Sequence, residues 1–132
     1  MIKERKESLI EDLSYLDQDQ IFEYIVDLGQ KFTRQPEWAS DDTKIPGCTS
    51  KLWLKHNVIA GNVTFETCSD SRIVDGTARL LISLVNNCCP ADIVVELDEL
   101  DSLPSVIGLS SQRRNGTSYL IARIKSIVRS CL

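Results

Sequence analysis

The chain has 132 residues, 42% of them hydrophobic and 26% charged, the balance of one compact domain spanning residues 1–132. Lys+Arg count 15 against 19 for Asp+Glu, and the net charge of −4 argues against binding nucleic acid through its phosphates. The start Met1-Ile2-Lys3-Glu4-Arg5-Lys6-Glu7 leads into no apolar signal segment, and no apolar run approaches the roughly 18 residues of a membrane span. The expectation is a cytoplasmic protein without a membrane anchor.

In chain order, the spacing of Leu9, Leu13 and Leu16 predicts a first helix from about Lys3 to Leu16. Asp17 or Asp19 caps a second, whose apolar stripe is Ile21, Tyr24, Ile25 and Leu28, with Gly29 at its end. Residues Thr33 to Thr43 are polar and read as a surface loop, with Trp38 a local anchor. Lys51–Lys55 is a short apolar strand, and Val63–Cys68 alternates like a half-buried one. The two pair as an antiparallel hairpin around the turn Ala60-Gly61-Asn62, with a third short strand expected at Val58-Ile59. Ser69-Asp70-Ser71 offers caps for a helix carrying Ile73, Val74, Thr77, Leu80, Leu81, Leu84 and Val85. Short helices follow at Ala91–Val95, after Pro90, and at Leu100–Ile107, before Gly108. A final helix runs from about Arg113 to Ser130 with Tyr119, Leu120, Ile124, Ile127 and Val128 on its core face. Helices, then a small antiparallel sheet of about three strands, then helices define an α+β domain. Neither G-x-G-x-x-G nor G-x-x-x-x-G-K-[ST] is present, so nucleotide binding has no support.

The five cysteines are Cys48, Cys68, Cys88, Cys89 and Cys131. An odd number without a secretory signal argues against a disulfide framework, and the absence of C-x-x-C pairs argues against structural zinc. Cys68 and Cys131 read as packed small hydrophobes, and Cys88-Cys89 as part of a partly exposed polar connection. Cys48 differs. It lies in Ile45-Pro46-Gly47-Cys48-Thr49-Ser50, where Pro and Gly mark a turn that presents a thiol at a loop tip. The only histidine, His56, is eight residues away, about 26 Å if extended, which makes a Cys–His hydrolase a poor reading.

At this point the motifs carry a resemblance. Leu28-Gly29 closes the second helix. Gly47-Cys48-Thr49-Ser50-Lys51-Leu52-Trp53-Leu54 follows G-C-x-S-x-V-W-L, and Ser69-Asp70-Ser71-Arg72-Ile73-Val74-Asp75-Gly76 follows S-D-A-x-I-V-x-G. Gly108-Leu109, Ser110 and Arg113-Arg114-Asn115-Gly116 follow G-L, then L-S-x-x-R-x-N-G. In this order, over roughly residues 10 to 130, the chain resembles the SufE-type sulfur acceptors, with their SufE/IscU-like fold. It departs at Cys68, where the family usually has an acidic residue, at Pro46, in the proline missing after Ser110, and at Cys88-Cys89-Pro90 in place of G-x-T-P.

The resemblance implies that Cys48 accepts sulfane sulfur from the persulfide of a PLP-dependent, SufS/CsdA-like cysteine desulfurase. It then passes the sulfur to an iron–sulfur scaffold. PLP belongs to the partner, and the chain itself holds no cofactor or metal and is no enzyme alone. Gly47, Thr49 and Ser50 become loop-supporting residues, Thr49 and Ser50 as hydroxyl donors or as plain turn residues. Asp70 either caps the third helix or serves near the cysteine loop. Arg113 and Arg114 open the last helix, where cations oppose the helix dipole, so each meets a carboxylate, a partner surface or solvent. A homodimer is a further candidate assembly. Two other readings stay open: a cluster scaffold using Cys48, Cys68 and Cys88 or Cys89, and an adaptor that regulates a desulfurase without taking sulfur.

Overall fold

The computed structural model describes residues 1–30, 32–47 and 50–132. Helices α1 (Ile2–Leu13) and α2 (Gln18–Leu28) precede strands β1 (Leu52–Ile59) and β2 (Asn62–Ser69). Helix α3 (Arg72–Val85) follows, then the single turn α4 (Pro90–Ile93), a 3-10 segment (Val94–Ser102), the single turn α5 (Leu103–Val106) and the long α6 (Ser111–Ser130). The fold is α+β.

Local chemistry sets the helix starts. Asp17 accepts from the Gln20 N–H at 2.9 Å while the Gln20 side chain accepts from the Asp17 N–H at 2.9 Å, a reciprocal cap that opens α2. Ser71 accepts from Val74 N–H to open α3, and Ser110 from Arg113 N–H to open α6, each at 3.4 Å. The first helix stops at Leu13, short of Leu16, because Ser14 closes it and its hydroxyl turns back onto the Glu11 carbonyl. From the segment after α4 to the first residue of α5, Leu97, Leu100 and Leu103 recur every third position. All three are buried, and a period of three is that of a 3-10 helix. The predicted short helices at Ala91–Val95 and Leu100–Ile107 therefore shrink to α4 and α5 on either side of it. Lys6 and Lys125 pin this acidic segment. Lys6 donates to the Glu99 carboxylate and, at 3.0 Å, to the Ser102 hydroxyl, and Lys125 donates to Asp98 and Asp101.

The sheet contains β1 and β2, paired antiparallel from Leu52↔Ser69 to Ile59↔Asn62. Val58 and Ile59 continue β1 to the two-residue turn Ala60-Gly61 instead of forming a third strand, since both turn residues take positive φ and close a tight hairpin directly. The outer edges are partly covered. On β2, Val63 N–H donates to the Cys88 carbonyl at 2.9 Å and Phe65 N–H to the Asn86 side-chain oxygen at 2.9 Å. On β1, Leu54 N–H donates to the Thr43 carbonyl at 2.9 Å and Leu52 accepts from Ile45 N–H at 2.8 Å. These last bonds make residues 43–45 a fragment of a third strand, a bridge centred on Lys44↔Trp53.

One face of the hairpin joins the main core. There Leu52, Leu54, Val63 and Phe65 pack with the buried face of α3, including Ala78, Leu81 and Val85. On the other face Trp53, Cys68 and Ala39 form a small separate cluster with Phe32 and Trp38 against it. Tyr24 and Tyr119, read from the sequence as core residues, are exposed by 43% and 47%. Ile21 and Ile25 suffice for the α2 contact, and Ile121 takes the buried position on α6 beside Leu120. Cys88, expected in a partly exposed connection, is buried because its segment lies along the β2 edge.

Asp75 is fully buried on α3. Its carboxylate accepts from the Thr67 hydroxyl at 2.8 Å, the Gln30 N–H at 2.9 Å and Arg79 Nε at 2.6 Å. It thereby joins α3 to β2 and to the chain leaving α2. Beside it α2 and α3 meet backbone to backbone: a Cβ at Gly76 would run into the Ile25 carbonyl. Asp75→Ala, which strands these donors, is expected to cost about 3 kcal/mol in urea unfolding. Gly76→Ala, which forces α2 and α3 apart, is expected to lower the unfolding midpoint by an equivalent of about 2 kcal/mol, with the m-value unchanged.

Candidate functional site

Two arms bracket the connection from Pro46 to Lys51. The incoming arm, residues 43–45, lies against β1 through the Ile45–Leu52 and Leu54–Thr43 hydrogen bonds. The outgoing arm is gripped at Lys51. Its N–H donates to Asp70 Oδ1 at 3.0 Å, and its carbonyl accepts from the Ser69 hydroxyl at 2.6 Å and from the Asp70 N–H at 3.4 Å. Asp70 is thus spent on the connection, and the cap of α3 is Ser71, because the Asp70 carboxylate turns back across the end of β2. Ser69 also accepts from Ser71 N–H at 3.1 Å, so the end of β2, the start of α3 and the outgoing arm form one hydrogen-bonded corner.

Cys48 and Thr49, the first the expected reactive residue, lie outside the described residues. Ser50, at the far side, is half-buried. Gly47 has φ of +81°, a conformation that glycine takes without steric cost. The ring of Tyr119 on α6 occupies the space where a Cβ on Gly47 would stand. One turn further along α6, Arg123 donates to the main-chain carbonyls of Asp42 at 3.5 Å and Lys44 at 3.3 Å. Tyr119 and Arg123 had no signal in the sequence that tied them to this segment, being more than 70 residues from it.

Arg113 is exposed in the first turn of α6, its guanidinium 5.5 Å from the centre of the Phe22 ring. Arg114 Nε donates to the Leu109 carbonyl at 2.8 Å. Among the described residues neither meets a carboxylate; an aromatic face and a carbonyl take its place. Arg113 also borders a small apolar cleft of about 40 Å³ between α3 and α6, floored by Leu52, Val74, Ala78 and Leu120. The cleft begins where β1 leaves the connection. His56 is exposed on β1.

The remaining cysteines are dispersed. Cys68 sits in the small cluster with Trp53, Cys88 in the main core, and Cys89 and Cys131 are half-buried. Among the described residues no group of three or more His, Cys, Asp or Glu side chains gathers as metal ligands. Burial, and after it the charges of Asp75 and Asp70, push the Cys68 thiol up. No helix among the described residues is long and apolar enough to cross a membrane.

A family model described as the SufE Fe-S metabolism associated domain matches residues 7–128. The chain belongs to the SufE family. An uncharacterized SufE-like protein of Rhizobium meliloti (strain 1021) is 30% identical over 128 residues, 91% of each chain. An uncharacterized SufE-like protein of Synechocystis sp. (strain ATCC 27184 / PCC 6803 / Kazusa) is 30% identical over 74 residues, 55% of this chain and 46% of the relative. In fold, the chain is similar to a hypothetical protein from Thermus thermophilus known from a solution structure, with a TM-score of 0.66 at 15% identity, covering 96% of this chain and 95% of that one. Membership in the SufE family associates this chain with Fe-S metabolism.

The raised Cys68 pKa has a sign that can be checked. A thiol held protonated by the fold contributes its stabilisation fully below the unfolded pKa of about 8.5, and loses it as pH rises through the folded value. Stability is therefore expected to fall above about pH 8.5, and Cys68→Ala is expected to flatten that fall in urea titrations across pH 7 to 10.

Proposed function

We propose that this SufE-family chain is a cytoplasmic sulfur acceptor for a PLP-dependent cysteine desulfurase, and that Cys48 is the residue that carries the sulfur. The observation that carries this reading is the position of Cys48 within the family's G-C-x-S motif, in a connection whose two arms are tied by main-chain hydrogen bonds to β1 and to Asp70. The acceptor thiolate attacks the outer sulfur of the partner's persulfide. A new S–S bond forms on Cys48, the partner's S–S bond breaks, and the partner's cysteine leaves as thiolate. No external oxidant or reductant is consumed, because the oxidation level moves with the sulfur. Cys48 then holds a persulfide for an iron–sulfur scaffold downstream.

An ordinary thiol is only a few per cent thiolate at pH 7. Positioning can compensate, since holding reactants together contributes several kcal/mol. The tethered arms support such positioning. Asp70 acts on it by gripping Lys51, and the exposed Arg113 is a cation available to a partner surface. This reading places the sulfur chemistry on Cys48; Cys68 and Cys88 are withdrawn from it by burial.

Incubation with a cysteine desulfurase and L-cysteine is expected to add about 32 Da, one sulfur atom, to the intact wild-type chain and nothing to Cys48→Ser. No gain on wild type with desulfurase turnover still raised would replace the acceptor by an adaptor. A visible chromophore after anaerobic iron and sulfide reconstitution would replace it by a scaffold.

A further inference from the structure

Tyr119 and Arg123 are four residues apart on α6 and so share one face of that helix. Both reach the incoming arm. The Tyr119 ring lies against Gly47, and the Arg123 guanidinium spans the carbonyls of Asp42 and Lys44. The contacts are of a kind that reads chain geometry. Arg123 holds main-chain oxygens, so it is indifferent to the side chains at positions 42 and 44. Tyr119 occupies space that any residue other than glycine would fill, and Gly47 adopts the positive φ that glycine tolerates best. The outgoing arm has its own support in Asp70 and Ser69, independent of α6. The incoming arm is paired with β1 as far as Ile45, and beyond it Gly47 meets α6.

We infer that Tyr119 and Arg123 are positioning residues, a two-point clamp on α6 that holds residues 42–47 and thereby sets how Cys48 is presented. What the clamp presents rests on the acceptor reading above; the clamp itself does not. The ring prevents the segment from lifting off α6, and the guanidinium prevents it from sliding along the helix. Both residues are partly solvent-exposed, so their removal opens no cavity in the core.

The test is the iodoacetamide alkylation rate of Cys48 in the free protein, followed by peptide mass spectrometry, with the buried Cys68 as an internal monitor of unfolding. In Tyr119→Ala and in Arg123→Ala the Cys48 rate is expected to rise about fivefold, the factor for a constraint of modest strength. Tyr119→Phe is expected to stay near wild type, Arg123→Lys, which lacks the fork that spans both carbonyls, to fall between wild type and Arg123→Ala, and Cys68 to stay unchanged throughout. With a desulfurase, the sulfur-transfer rate at saturating acceptor is expected to fall in the alanine variants while the half-saturating concentration holds. A Cys48 rate within about twofold of wild type in the double alanine variant would overturn the clamp, as would a parallel rise at Cys68. If the wild-type chain takes no sulfur at all, the acceptor reading falls, and the alkylation comparison still decides the clamp.

Discussion

The buried carboxylate of Asp75 is the constraint from which the rest of the arrangement follows. A carboxylate taken out of water is costly unless each oxygen is satisfied, and here the Thr67 hydroxyl, the Gln30 N–H and the Arg79 guanidinium do so. These donors come from β2, from the chain leaving α2 and from α3 itself, so the charge is accommodated only when all three converge. The glycine contact between α2 and α3 allows that convergence by removing side-chain bulk where the backbones touch. With α3 held on β2, the corner Ser69-Asp70-Ser71 has one position, and from that corner Asp70 and Ser69 reach Lys51. A chain of short, directional bonds thus runs from the core to the connection that contains Cys48.

The connection is held differently on its two sides, and the difference bears on the proposed acceptor role. The outgoing arm belongs to the sheet corner and moves only if β2 and α3 move. The incoming arm follows β1 to Ile45 and then meets α6 through Gly47, with Arg123 behind it. An acceptor thiol must be presented to another protein without being free to wander, because conformational freedom lost on docking weakens the productive complex. Fixed arms around a short connection reduce that loss. Of the other thiols, Cys68 is buried beside the carboxylates of Asp75 and Asp70, and Cys88 lies in the main core.

Much of this was legible in one dimension. The α+β class, the hairpin, the helix with Ile73 through Val85 and the caps at Asp17 and Ser71 come from periodicity and turn chemistry, both of which are local. The motif around Cys48 is local as well. The misreadings have a common physical origin. Tyr24 and Tyr119 fall at the border of apolar stripes, where an amphipathic ring fits core or surface equally well and only the neighbouring elements decide. The 3-10 period of Leu97, Leu100 and Leu103 was present in the sequence but competes with a helical reading over so short a span. Asp70 and Ser71 are adjacent possible caps, and the choice fell to Ser71 because Lys51, distant in sequence, took the Asp70 carboxylate.

By itself the sequence determined the α+β class, most of the elements and the family motifs, because these depend on residues within a few positions of one another. The tertiary structure decided which distant groups meet: Asp75 with Thr67 and Gln30, Asp70 with Lys51, Tyr119 with Gly47 and Arg123 with the carbonyls of Asp42 and Lys44. No periodicity encodes such pairings. They exist only once α3 and α6 have packed, since the free energy that places α6 comes from Leu120, Ile121, Ile124 and Val128 on its buried side, while the residues that touch the connection ride on its exposed side.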